Sequence, residues 1–249
     1  MAGSAYRTRR RDAKGKREGE MSGGGAILVI LWGVGGIVLA TLLNPLADRL
    51  PQHTKPSLRS ACPSCGSRLT GVQRFATLAL LARRLRCNAC GARLPARRWL
   101  FEFGLGLLYA LFAWRYGASL ELAVASFHAA ALALITVTDL EARIVPDAVL
   151  LPAALFTVVA TLALSPFQAP NRLLAAVIGF AIFLALRVLK MGWGDIKLAA
   201  YVGLIAGYPR IVACLLVTAV AGGLAAAALL LTGRARRGSY IAYAPYLVL

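Results

Sequence analysis

The chain has 249 residues, 59% of them hydrophobic and 15% charged, with a mean hydropathy of +0.69 and a formal net charge of +18. A soluble domain is nearer half apolar and a quarter charged. A buried core does not absorb repeated apolar runs of about 18 residues, so the composition excludes an ordinary soluble globular protein. Nucleic-acid binding would gather the basic residues on one surface; here they stand at the ends of apolar runs and in one loop, as in a multi-span membrane protein.

Residues 1–25 carry Arg7, Arg9, Arg10, Arg11, Lys14, Lys16 and Arg17 with no apolar periodicity, which predicts a disordered basic tail. The run 26–47 is too long and too glycine-rich for a secretory signal and has no cleavage motif after it, so it reads as a retained first span. The polar insert 48–98 holds eleven Lys/Arg, four of the five cysteines, and Asp48 as its only acid. A loop so basic belongs in the cytoplasm. The remainder, 99–249, reads as a polytopic membrane domain with spans at 99–117, 119–138, 147–164, 172–191, 196–207 and 210–232. The span at 196–207 is short for a crossing. The apolar tail 240–249 cannot cross ~30 Å of hydrocarbon at about 1.5 Å per residue, which suggests an incomplete last span. The expectation is an all-α integral membrane protein of seven to eight transmembrane helices, with a cytoplasmic zinc-knuckle loop after the first.

Alternating the spans from the insert places Arg143, Arg187, Lys190, Lys197, Arg234, Arg236 and Arg237 inside and Arg115, Arg172 and Arg210 outside. Seven basic residues against three support that orientation. It leaves the basic tail outside, a conflict that a translation start at Met21 would remove.

Cys62-Pro-Ser-Cys65-Gly and Cys87-Asn-Ala-Cys90-Gly form two C-x₂-C pairs with 21 residues between them. Each glycine permits a turn that aims amides at the sulfurs, and Cys62, Cys65, Cys87 and Cys90 together make a four-thiolate zinc shell. Two disulfides are the alternative, disfavoured in a reducing compartment. Cys214, alone in a span, reads as packing.

Acids are scarce, so their positions inform. Asp139 ends the third span and Asp195 lies in Gly192-Trp-Gly194-Asp195-Ile-Lys197 at the start of the sixth. Both fall at the cytoplasmic membrane boundary, where a carboxylate is costly and a functional candidate. Two nearby carboxylates cannot both ionise; one can act as base on a water and the other as acid toward a carbonyl. Asp147, after Pro146, reads as the acid of a helix N-terminus, and Glu141 and Arg143 as solvated loop residues.

These motifs resemble the type IV prepilin peptidases, a family of G-x-G-D intramembrane aspartyl proteases. The likeness runs from about Gly35 to the C-terminus. Leu43 to Pro51 is similar to the family's end of span one, the cysteine knuckles stand in the expected loop, and Glu102 occupies the place of the acid after it. Asp139 to Asp147 matches the D-x₆-P-D/N motif and Gly192 to Lys197 the G-x-G-D-x-K motif. Ala244-Pro245-Tyr246 resembles the start of the family's last span. The resemblance implies Asp139 and Asp195 as the catalytic dyad. It implies prepilin or pseudopilin substrates whose short basic leader is cut at the cytoplasmic membrane face. It also implies S-adenosylmethionine as a cofactor for methylating the new N-terminus. Glu102 and Asp48 are the candidate acids to serve it; for Glu102 an interfacial acid paired with Arg97 or Arg98 is the equal alternative.

The family's N-x-P-x-x-S stretch between the knuckles is absent. Arg74-Phe-Ala-Thr-Leu-Ala-Leu-Leu-Ala82 stands there, and a loop so basic fits anionic lipid head groups better than a cationic sulfonium. Weak or absent methylation is therefore expected. An ion- or proton-coupled transporter is the alternative from another class. It would be favoured by a second copy of the Gly192–Lys197 motif, which the chain lacks. A zinc-dependent membrane scaffold without catalysis is a third reading.

Overall fold

The computed structural model describes residues 23–52, 59–189 and 192–232, together with Leu247. The expected disordered tail up to residue 22, Met21, Lys190, Arg234, Arg236, Arg237 and all but Leu247 of the tail 240–249 lie outside the described residues.

Among the described residues every regular element is helical. In chain order they are α1 (Gly23–Arg49), α2 (Ala76–Leu81), α3 (Ala96–Tyr116), α4 (Leu120–Ala142), α5 (Asp147–Leu164), α6 (Ala169–Ala185), α7 (Trp193–Ala206) and α8 (Arg210–Leu231). All but α2 overlie the seven predicted segments. Four stretches, Gly24–Arg49, Leu120–Ala142, Asp147–Leu164 and Pro166–Val188, are long and apolar enough to cross a membrane.

Several boundaries differ from expectation by a few residues, and three of them have a clear local cause. α4 continues a turn past residue 138, so Asp139 lies inside its last turn. It stops where Arg143 takes a left-handed backbone (φ 55°) and donates its N–H to the Asp139 carbonyl at 2.8 Å, ahead of Pro146. α6 starts early, with Pro170 in its first turn, where the missing N–H costs nothing. α7 starts at Trp193 behind an extended Gly192, which draws Asp195 into its first turn.

The chain divides into two compact units, Met1–Asn44 with Arg59–Ala129, and Pro45–Leu58 with Ala130–Leu249. In the first, α1 and α3 run antiparallel and touch through glycines. A Cβ built on Gly36 would lie 2.9 Å from the Leu105 carbonyl oxygen, and one on Gly106 would lie 2.6 Å from the Ile37 side chain. Hydrogen bonds tie both helices to Ser126 of α4: Trp32 Nε1 donates to its Oγ at 2.8 Å and Tyr109 Oη to its carbonyl at 2.9 Å.

The insert of this unit is built by duplication of one turn. Cys62 N–H donates to the Ser67 carbonyl and Cys87 N–H to that of Ala92; Gly66 and Gly91 share a φ of 71°. Each turn closes on an isolated antiparallel bridge, Ala61 with Arg68 and Arg86 with Arg93. Cys62, Leu69, Cys87 and Leu94 form its small core. Between the turns, α2 ends in a Schellman motif: Arg84 N–H donates to the Ala79 carbonyl and Arg83 N–H to that of Leu80, with Arg83 left-handed at φ 54°.

In the second unit α7 is apolar on every side beyond Lys197, and Ile196, Leu198, Ala199 and Tyr201 are buried. A helix of this kind belongs at the centre of its fold, which accounts for its 14 residues, about 21 Å long. It packs antiparallel against α6 through Ala175 and Gly179 on one side and Ala199 and Gly203 on the other. A Cβ on Gly203 would meet the Ala175 carbonyl oxygen at 2.5 Å, and one on Gly179 that of Ala199 at 2.6 Å. Small residues are what allow two helices such backbone contact where no water drives them together.

Gly203→Leu should therefore force the two helices apart. A loss of about 1–3 kcal/mol is expected for overpacking at such a contact, read as a lowered midpoint of thermal unfolding in detergent. Gly104→Leu, at a position with open space around it, should leave the midpoint close to that of the parent chain.

Candidate catalytic and metal sites

Asp139 lies in the last turn of α4 beside Thr138, whose hydroxyl donates back to the Ile135 and Leu134 carbonyls at 2.9 and 3.2 Å. That pairing absorbs the hydroxyl within its own helix, and Asp139 itself is only 4% exposed. Asp195 sits in the first turn of α7, where the amide of Gly192 donates to its carboxylate. The two aspartates are close enough for one charge to act on the other. Both belong to the second unit.

Glycine explains how the two segments meet. A Cβ on Gly194 would lie 2.8 Å from Cβ of Val145, so only glycine lets the start of α7 close against the loop that follows α4. A Cβ on Gly192 would stand 3.5 Å from Asp195 Oδ2. Asp147 opens α5, as its sequence position suggests, and its carboxylate takes two hydrogen bonds from Lys197 Nζ, at 2.9 and 2.8 Å. Sequence reading missed this pairing. The signal was Lys197 standing two residues after Asp195, so that a single turn of α7 presents both. The pair is half exposed, and such surface bridges contribute little to stability.

The four insert cysteines converge. Their sulfurs all lie within 4.8 Å of one another, with Cys62 to Cys90 at 3.8 Å and Cys65 to Cys87 at 3.9 Å. Four thiolates at about 2.3 Å from a tetrahedral ion would be about 3.8 Å apart, so the donor set fits a metal ion. All four are free thiols. The Ser67 hydroxyl, with the amides of Cys90 and Ala89, brings the Cys87 thiol down to about 6, and Ser67 also lowers that of Cys65. Against the pull of the Ala92 amide, the Cys65 thiol, burial and the Cys62 and Cys87 thiols push that of Cys90 the other way, up to about 12. The lowered pair, Cys65 and Cys87, thus supplies the thiolate character from which metal binding starts.

Glu102 is fully buried on α3. One oxygen accepts from the Ala76 amide at 3.0 Å and from Asn44 Nδ2 at 3.2 Å; the other accepts from the Thr77 amide at 2.7 Å and its hydroxyl at 2.9 Å. Asn44 also donates to the Arg98 carbonyl at 3.3 Å, and Arg98 Nη2 to that of Ala61 at 2.8 Å. The carboxylate thus ties the start of α2 to α1 and α3. Asn44 and Thr77 as its partners were not evident from sequence, since they stand 58 and 25 residues from it.

Residues 126–227 match the Type IV leader peptidase family, and residues 34–116 match the Bacterial Peptidase A24 N-terminal domain. The second stretch holds Glu102 and the four cysteines, the first both aspartates. No solved structure matches the chain. The chain is 28% identical to the prepilin leader peptidase/N-methyltransferase of Pseudomonas putida over 90% of its length and 88% of that protein. It is 25% identical to the protein of the same name from Stutzerimonas stutzeri, over 76% of this chain and 68% of that one. Against the protein so named from Bacillus subtilis (strain 168), identity reaches 31% over 84% of this chain and 86% of the relative. With likeness of that extent, and with the aspartate pair and the cysteine quartet each inside a matched stretch, the chain belongs to the Type IV leader peptidase family and is an enzyme of that kind.

Proposed function

We propose that this chain is a membrane aspartyl endopeptidase that removes the short basic leader of type IV prepilins or pseudopilins at the cytoplasmic face of the inner membrane. The observation that carries the mechanism is the buried Asp139 within charge reach of Asp195 at a glycine-framed helix start. One carboxylate, ionised, takes a proton from a water as its oxygen attacks the scissile carbonyl carbon. The other, protonated, donates to the carbonyl oxygen. Collapse of the tetrahedral intermediate breaks the C–N bond; the proton taken from water passes to the leaving amine, and a diol hydroxyl returns its proton to the carboxylate that had donated one as the C=O re-forms. Gly192, with no Cβ beside Asp195 Oδ2, lets an extended substrate backbone come close to that carboxylate. In this reading seven spans, or eight with a completed last one, hold the dyad at the membrane boundary.

The cysteine quartet is the chain's zinc site in this reading, and its task is structural. The insert's own core is Cys62, Leu69, Cys87 and Leu94, too little to hold a fold without cross-linking, so the ion would supply much of its stability. S-adenosylmethionine fits the insert poorly. No Asp or Glu occurs between Arg59 and Phe101, and both oxygens of Glu102 are taken by donors of the chain itself. We therefore expect methyl transfer, named for the relatives, to be weak or absent here.

Asp139→Asn and Asp195→Asn should each abolish cleavage of a prepilin while the protein still inserts. Asp147→Ala should keep most of the activity, because it removes only an exposed pair. Gel assay of purified variants decides, and full cleavage by Asp195→Asn would sink the mechanism. Elemental analysis should find about one zinc per chain, the stoichiometry of a single four-thiolate site, lost in Cys62→Ser/Cys65→Ser. Finally, labelled S-adenosylmethionine should leave little label on the mature N-terminus. Stoichiometric label that disappears in Glu102→Gln would overturn the methylation reading.

A further inference from the structure

Between the two cysteine turns lies a surface that carries none of the residues assigned above to cleavage or to the metal. α2 turns Ala76 and Ala79 inward, and its start is held on α3 by Glu102. Its opposite side carries Leu78, 47% exposed, and Leu81, 75% exposed; Val72 is exposed just before it. Leu78 and Leu81 are three residues apart and so share one face of the helix. Arg74, Arg83 and Arg84 flank these leucines and are exposed, as are Arg68, Arg86 and Arg93 farther along. No acid interrupts the set from Arg59 to Phe101.

Arg83 occupies the left-handed position of the Schellman motif that ends α2, which places its charge at the end of the apolar face.

The level at which α2 is fixed identifies what covers it. Glu102 stands in the second turn of α3, and Leu100, Phe103 and Leu107 of that helix are each at least half exposed. An α3 that presents so apolar a side needs lipid, so α2 is held where that lipid begins. Apolar side chains flanked by arginines are what an interfacial helix offers an anionic bilayer. A basic leader peptide would be repelled by the same arginines.

We propose that α2 and the Arg83–Arg84 turn form a membrane-surface anchor, with the arginines on anionic phospholipid head groups and Leu78 and Leu81 entering the acyl boundary. The anchor stands independently of the dyad. Its test is hydrogen exchange of the full-length protein in nanodiscs, comparing phosphatidylcholine alone with an equal mixture of phosphatidylcholine and phosphatidylglycerol. Amides of residues 78–84 should exchange at least about five-fold more slowly in the anionic discs, the factor expected for one basic residue at such a surface. High salt should erase the difference. Arg83→Gly/Arg84→Gln should bring the ratio between the two discs close to one, as should Leu78→Gln/Leu81→Gln. Because the ratio is taken within each variant, any change to the turn itself cancels, and retained zinc content reports an intact insert. Equal exchange in both discs, or a ratio unchanged in both variants, overturns the proposal. So does protection that arises only when a prepilin or another protein is added, which would assign the surface to a protein partner.

Discussion

Backbone contact between α6 and α7 is the constraint on which the second unit depends. Burying one helix among others in a membrane protein gains little from excluding water, so proximity must come from shape. Gly179 and Gly203 remove the Cβ atoms that would strike the opposite carbonyls, and Ala175 and Ala199 keep the facing surfaces low. α7 can then lie at the centre of the unit despite its shortness. Its first turn carries Asp195 toward Asp139, and Gly194 lets the loop after α4 close over that turn. The approach of the two carboxylates thus follows from where side chains are missing, as much as from the acids themselves.

The first unit solves a different problem. Its insert is polar, basic and nearly coreless, and it must be held beside apolar helices. A buried carboxylate does this. Glu102 accepts four hydrogen bonds from α1 and from the start of α2. Such an acid is costly to bury unless it is fully paired, and removing a partner exposes that cost. The repeated Cys turn supplies the second constraint, since one geometry used twice brings four sulfurs within 4.8 Å of one another. Together they leave α2 little freedom, which is why its outward leucines and the Arg83–Arg84 turn stand at a defined level on α3.

Much of this was legible in the sequence. Apolar runs broken by glycine, proline and charge gave the helices to within a few residues, because a chain in lipid has to close its own backbone hydrogen bonds. The convergence of Cys62, Cys65, Cys87 and Cys90 into a set that could hold a metal ion was legible through spacing, since a C-x₂-C-G turn is a local structure. Asp139 and Asp195 stood out because acids are rare in such a chain. α2 was not legible. Six residues with one apolar face between two turns are too short for periodicity to speak, and the helix is held by contacts with Glu102.

What the sequence by itself determined was therefore local: helix after helix, the paired knuckles, and which side chains were worth watching. What only the tertiary structure decided was who meets whom. Asp147 with Lys197, Gly194 with Val145, Glu102 with Asn44 and Thr77, and Gly203 with Ala175 are pairs separated by tens of residues. Periodicity carries no record of such separations, because it reports only which face of an element is apolar. Which face is laid against which is set by the fit of small residues and by the pairing of buried polar groups, and both exist only once the chain has folded.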